Sequence, residues 1–143
     1  MATEVNDEKQ LQQAYAEYMF LKQLLDATNQ NIALLNNLIA ETRTAQEIIE
    51  EIKTIPDSKV LIVPLNSSIL LRVKFKQENK VLISVGSNVV VEKNYDEALK
   101  YLQERENKLK IELEKTSRNL AQISERIRQL EIILRELLER VEK

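Results

Sequence analysis

Two runs of residues spaced alternately three and four apart, mostly apolar, bracket a short β-rich middle, and this pattern leaves few folds open. From Leu11 the stepping passes through Ala14, Tyr18, Leu21, Leu25, Thr28, Ile32, Leu35, Ile39, Thr42, Gln46 and Ile49. From Tyr95 it passes through Leu99, Leu102, Glu106, Leu109, Leu113, Thr116, Leu120, Ile123, Ile127, Leu130, Leu134, Leu137 and Val141. A seam repeating every 3.5 residues over many heptads stays facing a partner helix as both supercoil, which is the signature of a coiled coil. The chain is therefore expected to be mainly α with a small β part, folded back on itself as a long antiparallel coiled-coil hairpin. Residues 7–55 and 95–143 hold 49 residues each, or about 73 Å of helix apiece, so they match as two arms. The expected organisation is an N-terminal coiled-coil helix over 1–55, two β-hairpins over 56–94 as an oligomerisation platform, and a C-terminal coiled-coil helix over 95–143.

Composition agrees with long helices rather than a compact mixed core: 31% of residues are charged and 4% aromatic, with one Gly and two Pro in 143 residues. The absence of His and Cys removes imidazole and thiolate chemistry, the usual structural zinc ligands and any disulfide. No cofactor is expected. A net charge of −2 with both signs interspersed offers no basic face for nucleic acid. No apolar run is long enough to cross a bilayer, and the start MATEVNDEKQ lacks the basic and apolar regions of a signal peptide, so a soluble cytoplasmic chain is expected with no membrane partner. There is no phosphate-binding loop and no nucleophile elbow, and Asp57, Ser67, Ser68 and Ser84 read as turn or strand-face residues, so the chain is not expected to be an enzyme.

The first helix is expected to begin near Asn6 and to stop at Pro56, which biases Ile55 away from the α region. From Val60 the sequence turns to β-branched runs, VLIVPL, SILLRVKF, KVLISV and NVVVEK, separated by turns at 66–68, 77–79 and 86–87. Gly86 suits a positive φ. Pro64 cannot donate to a ladder and is expected at a strand end, an edge or a bulge. Asn94 and Glu97 have the spacing of a capping box opening the second helix. The arm register sets Thr42 near Glu106 and Ile32 near Thr116. Polar seam residues of this kind either fix the register or are locally solvated.

Four short strands that are apolar on both faces need other subunits to cover them. The residues expected to do this are Val60, Ile62, Val63, Leu65, Ile69, Leu71, Val73, Val81, Ile83, Val85, Val89 and Val91. The alternative is a four-stranded cap folded onto the base of the coiled coil. At the opposite end, residues 15–25 are expected beside 123–133, and apolar residues there exceed what the seam uses. Tyr15, Met19, Phe20 and Leu24 on the first arm, and Ile132, Ile133 and Leu138 on the second, lie off the three-four steps. With Tyr18, three of the chain's six aromatics fall within six residues. An exposed apolar surface with a flexible Met is expected to bind apolar segments of non-native client proteins. Packing against a neighbouring helix is the alternative, since Leu34, Ile48 and Ile111 are off-seam too.

VLIVPL at 60–65, KVLISVGSNVVVEK at 80–93 and DEALKYLQER at 96–105 together resemble the α-class subunit of prefoldin, a holdase chaperone that works without ATP. The similarity covers nearly the whole chain in architecture, and two hairpins rather than one distinguish the α-class from the β-class. Asn66 stands where many members have Gly, and Val89 and Val90 stand where an aromatic is common. The resemblance implies strands of α-class and β-class subunits closing into an inter-subunit β-barrel, coiled coils whose tips hold non-native proteins, and delivery to a group II chaperonin. Relatives called gamma prefoldin self-associate through their strands into filaments, which is the alternative the resemblance leaves open.

Overall fold

The structure, a computed structural model, describes residues 2–142; Met1 and Lys143, the outermost residues of the two expected helical arms, lie outside the described residues. Element order is α1 (Ala2–Lys53), β1 (Val60–Pro64), β2 (Leu70–Lys74), β3 (Lys80–Gly86), β4 (Val89–Asn94) and α2 (Tyr95–Glu142). Two long helices with two small antiparallel hairpins is the architecture that the heptads and β-branched runs predict.

The chain divides into two compact units, one made of the segments up to Leu38 and from Leu109 onward, the other of Ile39–Lys108. In the first unit α1 and α2 run antiparallel: residues 10–17 lie beside 126–140, and residues 24–31 beside 112–123. The stepping residues turn inward as expected. Leu35, Thr116, Ile127, Leu130 and Leu137 are buried, and Leu11, Ala14, Leu21, Leu25 and Ile32 are half-buried. Thr116 donates its hydroxyl to the Glu112 carbonyl at 2.8 Å, one turn back on its own helix, so it is satisfied without its partner helix.

The second unit holds the roots of both helices and all four strands. Glu106 is buried on the seam; Arg43 Nε donates to its Oε1 at 2.6 Å and Gln46 Nε2 to its Oε2 at 3.3 Å. Both donors stand on the facing helix. Glu106 therefore specifies which residues of α1 it meets, as Thr116 does not, and the register role belongs to this layer. Beside it Ile49, Tyr95 and Ala98 form a core against which Ile52, Val81, Ile83, Leu99 and Leu102 pack.

Local signals account for the element ends. Asn94 Oδ1 accepts the Glu97 amide at 2.8 Å, and Asn94 Nδ2 donates to the Glu97 carboxylate at 2.8 Å, the capping pair that the spacing predicts. Pro64 is the last residue of β1. In β3–β4, Gly86 at φ 103° is followed by Ser87 and Asn88 at 50° and 60°, a two-residue turn with positive φ at both centres preceded by a one-residue bulge. Asn66 Oδ1 accepts the amides of Ser68 and Ile69 at 2.7 and 2.8 Å and so closes the first hairpin. One boundary differs from expectation: α1 begins at Ala2, not near Asn6. Once a helix is nucleated each further residue gains a hydrogen bond, so a residue with cap preference such as Asn6 is absorbed rather than ending the run.

Candidate functional site

Exposed apolar side chains gather on two surfaces of the chain. The first is the end of the coiled-coil pair that bears the chain termini. Arg126 reaches across to Glu17 with both Nε (2.8 Å) and an Nη (3.0 Å), and Tyr18 Oη donates to Glu131 at 3.5 Å, so residues 15–25 do lie beside 123–133. Lys22 Nζ stands 5.5 Å from the Tyr18 ring centre. Tyr18 is thus a half-buried seam residue held by Glu131 and Lys22 rather than a free surface ring. The other seven expected residues are exposed, led by Phe20 at 62% and Tyr15 at 57%, with Met19, Leu24, Ile132, Ile133 and Leu138 behind them.

Between the two helices lies a groove of about 360 Å³ with Ala14, Leu130, Ile133 and Leu137 along it and Gln10, Gln13, Glu17, Arg126, Glu136 and Arg140 around them. The small side chain of Ala14 at a seam position leaves this space, which places Ile133 in a concave site. Val5, also exposed, joins the apolar surface. Sequence reasoning missed it because the helix was expected to start after it.

The Arg126 guanidinium holds the Glu17 carboxyl below the usual carboxylate range, chiefly by hydrogen bonding. A carboxyl whose folded pKa is lowered contributes stability that is fully present above its unfolded value of about 4.3 and is lost as pH falls through the lower folded value. The Glu17–Arg126 clasp is therefore expected to persist at neutral and mildly acidic pH and to open only at a pH below that at which a free glutamate takes up its proton. Carbon-detected NMR titration of Glu17 checks this. An ordinary midpoint that Arg126→Gln leaves unmoved would contradict it.

The second surface is the strands. The β1–β2 register pairs Val60 with Lys74, Leu61 with Val73, Ile62 with Arg72, Val63 with Leu71 and Pro64 with Leu70, and paired residues share a face. One face is wholly apolar, from Leu61 and Val73 through Val63 and Leu71 to Leu65 and Ile69, while the other mixes Val60, Ile62, Pro64 and Leu70 with Arg72 and Lys74. Val60, Ile62, Val63, Leu65, Ile69 and Leu71 are exposed and Val73 is half-buried. On β3–β4, Val85, Val89 and Val91 are exposed, whereas Val81 and Ile83 point into the core around Ile49 and Tyr95. That packing is part of what the cap alternative expected. Leu70 is exposed as well, and so are Leu82 and Val90, which lie on runs apolar at nearly every position that gave no parity by which to find them.

Among the described residues no group of three or more His, Cys, Asp or Glu is placed to hold a metal ion, and no helix is long and apolar enough to cross a membrane. A family model described as "Prefoldin subunit" matches residues 21–140, which takes in both hairpins and most of both helices. The chain belongs to the prefoldin family. Prefoldin family members are chaperone subunits, and this prefoldin chain is similar to "Prefoldin subunit alpha" of Thermofilum pendens, 33% identical over 119 residues that cover 83% of this chain and 92% of the relative. It is also similar to the protein of the same name from Pyrococcus horikoshii, 32% identical over 120 residues, 83% of this chain and 81% of that one. Among solved structures, a chain of filamentous prefoldin from Methanocaldococcus jannaschii superposes with a TM-score of 0.69 and 27% identity, covering 83% of this prefoldin and 96% of that chain. The prefoldin beta subunit of Thermococcus strain KS-1 shares the fold at a TM-score of 0.56 and 17% identity, over 89% and 90% of the two chains. Tyr15, Tyr18, Met19 and Phe20 lie ahead of the span that matches the family.

Proposed function

We propose that this chain is a subunit of a holdase chaperone of the cytoplasm that works without ATP, captures non-native proteins at the terminal ends of its helix pair and delivers them to a group II chaperonin. The observation that carries this reading is the cluster of exposed apolar side chains at that end, around Tyr15, Phe20, Ile132 and Leu138. Exposed apolar surface beyond the needs of the fold usually marks binding, and Met19 adds a side chain that adapts to varied shapes. The strands supply the second half of the reading. They expose more apolar surface than a lone chain sustains, and barrel formation with β-class subunits or with other copies of this chain would cover it.

The test is suppression of aggregation of an unfolded client, with the chain alone or with a β-class partner. Tyr15→Ser, Phe20→Ser, Ile132→Ser and Leu138→Ser combined are expected to abolish suppression while helix content and assembly size stay unchanged, because all four side chains are exposed. Equal suppression by this variant would reject the assignment to the helix ends.

A second reading is a self-associated filament with a structural or chaperone role. The likeness to the filamentous prefoldin structure favours it, together with the exposed Leu70, Leu82 and Val90. Light scattering and negative-stain imaging of the chain alone separate the two. Rods that lengthen with concentration support the filament, and small species that become one defined particle only with a β-class partner support the heteromer.

A further inference from the structure

We infer that the mixed face of the first hairpin docks on an acidic outer face of α1 in a second copy of this chain, a contact that rests on the strands being the assembly platform. The two hairpin faces differ in chemistry. The wholly apolar one can be covered by any apolar sheet. The other presents Arg72 opposite Ile62 and Lys74 opposite Val60, with Leu70 beside them. All five residues are exposed, and among the described residues neither Arg72 nor Lys74 has an ion-pair partner. This face therefore asks for a partner that is apolar at its centre and acidic at its rim.

The same unit contains such a surface. Ile48 on α1 is 48% exposed although its neighbour Ile49 is buried in the core. Around Ile48 stand Glu41, Glu47 and Glu51, at seven residues before, one before and three after, so Glu41 and Glu51 share its helix face and Glu47 flanks it. All three carboxylates are exposed and none has an ion-pair partner among the described residues. Nearby charges are spoken for: Glu50 and Asp96 meet Lys53, Glu106 meets Arg43, and Glu92 meets Lys80.

Two mixed hairpin faces would bring cations against cations, whereas a mixed face on the Ile48 surface joins opposite charges around an apolar centre. Client proteins have no fixed charge to match this pattern, and two cations are too few to hold a nucleic-acid backbone. The contact joins two different patches of the same chain. It can therefore repeat from copy to copy and does not require a two-fold axis.

The experiment measures self-association of the chain alone by analytical ultracentrifugation, with circular dichroism as the folding check. Wild-type assembly is expected to weaken steadily with added salt, because screening acts within about 8 Å at physiological ionic strength. Glu47→Lys with Glu51→Lys, and separately Arg72→Glu with Lys74→Glu, are each expected to weaken it on the order of tenfold or more. The chain carrying all four exchanges is expected to assemble again, because the charges match once more. The inference is overturned if wild type stays monomeric alone, if either pair of exchanges leaves association unchanged, or if the fourfold variant folds but stays apart. The platform reading itself fails only if the chain also stays monomeric with a β-class partner.

Discussion

Replacing Leu130 by Ala is expected to destabilise the coiled-coil pair of the first unit by about 3 kcal/mol, within the range for deleting a buried leucine side chain. Leu130 is 1% exposed and is the largest fully buried side chain among the described residues. It sits on the seam between Ile127 and Leu134, and the groove left by Ala14 runs alongside it. The small Ala14 cannot swing in to fill the lost volume, so the cavity term adds to the lost transfer energy. Partial opening of that cavity to the groove keeps the cost below the top of the range. Two controls give the result its meaning. Leu134→Ala, at a half-buried seam position, is expected to cost about half as much, and Arg128→Ala, on an exposed face, a few tenths of a kcal/mol. Urea unfolding followed by circular dichroism reads all three, with hydrogen exchange of the amides from 109 to 142 locating the effect. Equal costs at Leu130 and Leu134 would show that the seam packs more loosely than its burial indicates.

The helices and hairpins were legible because their signals are local or periodic. A seam residue is identified by its distance along the chain from the next one, and nearly every step from Leu11 to Ile49 and from Tyr95 to Val141 is buried or half-buried in the structure. The exception is Val141, at the last turn, where the partner helix gives less cover. The Asn94–Glu97 cap and the Gly86 turn were equally local. Polar seam residues were not told apart by sequence, because Thr116 bonds within its own helix while Glu106 depends on Arg43 and Gln46 across the seam, and spacing carries no record of partners.

The strands show the opposite limit. Val81 and Ile83 pack on the core whereas Val89 and Val91 stay exposed, although all four are β-branched and set in apolar runs and Val91 is paired with Ile83. Only packing on Ile49 and Tyr95 distinguishes them. At the helix ends, the off-seam rule found Tyr15, Met19, Phe20 and Leu24 correctly as surface residues. Tyr18, a seam position, joined them only through the clustering of aromatics, and the structure holds it half-buried against Glu131.

Gln77 had no signal at all in the sequence beyond a turn, and its replacement by Ala is expected to cost about 3 kcal/mol, the sum of two carbonyl hydrogen bonds and one stranded buried hydroxyl. Its amide nitrogen donates to the carbonyls of Ile52 and Ile55, each at 2.9 Å, where the end of α1 leaves acceptors without helical partners. Its carbonyl oxygen accepts from the hydroxyl of Tyr95, the first residue of α2, which is 4% exposed. Its backbone amide donates to Asp57 at 2.9 Å. One side chain on the link between the hairpins thus ties the end of one helix to the start of the other. The Ile52 carbonyl also accepts the Ile55 amide at 3.1 Å, so most of the loss falls on Ile55 and on Tyr95. Tyr95→Phe keeps the ring in the core and removes only the hydroxyl, for about 1 kcal/mol. In that background Gln77→Ala should cost about 1 kcal/mol less than in the wild type, because no hydroxyl is left to strand. Chemical denaturation of the four chains completes the cycle. Strict additivity would mean that Gln77 acts on the helix end alone, and the join between hairpins and α2 would then rest on the packing of Val81 and Ile83 against the core of Ile49, Tyr95 and Ala98.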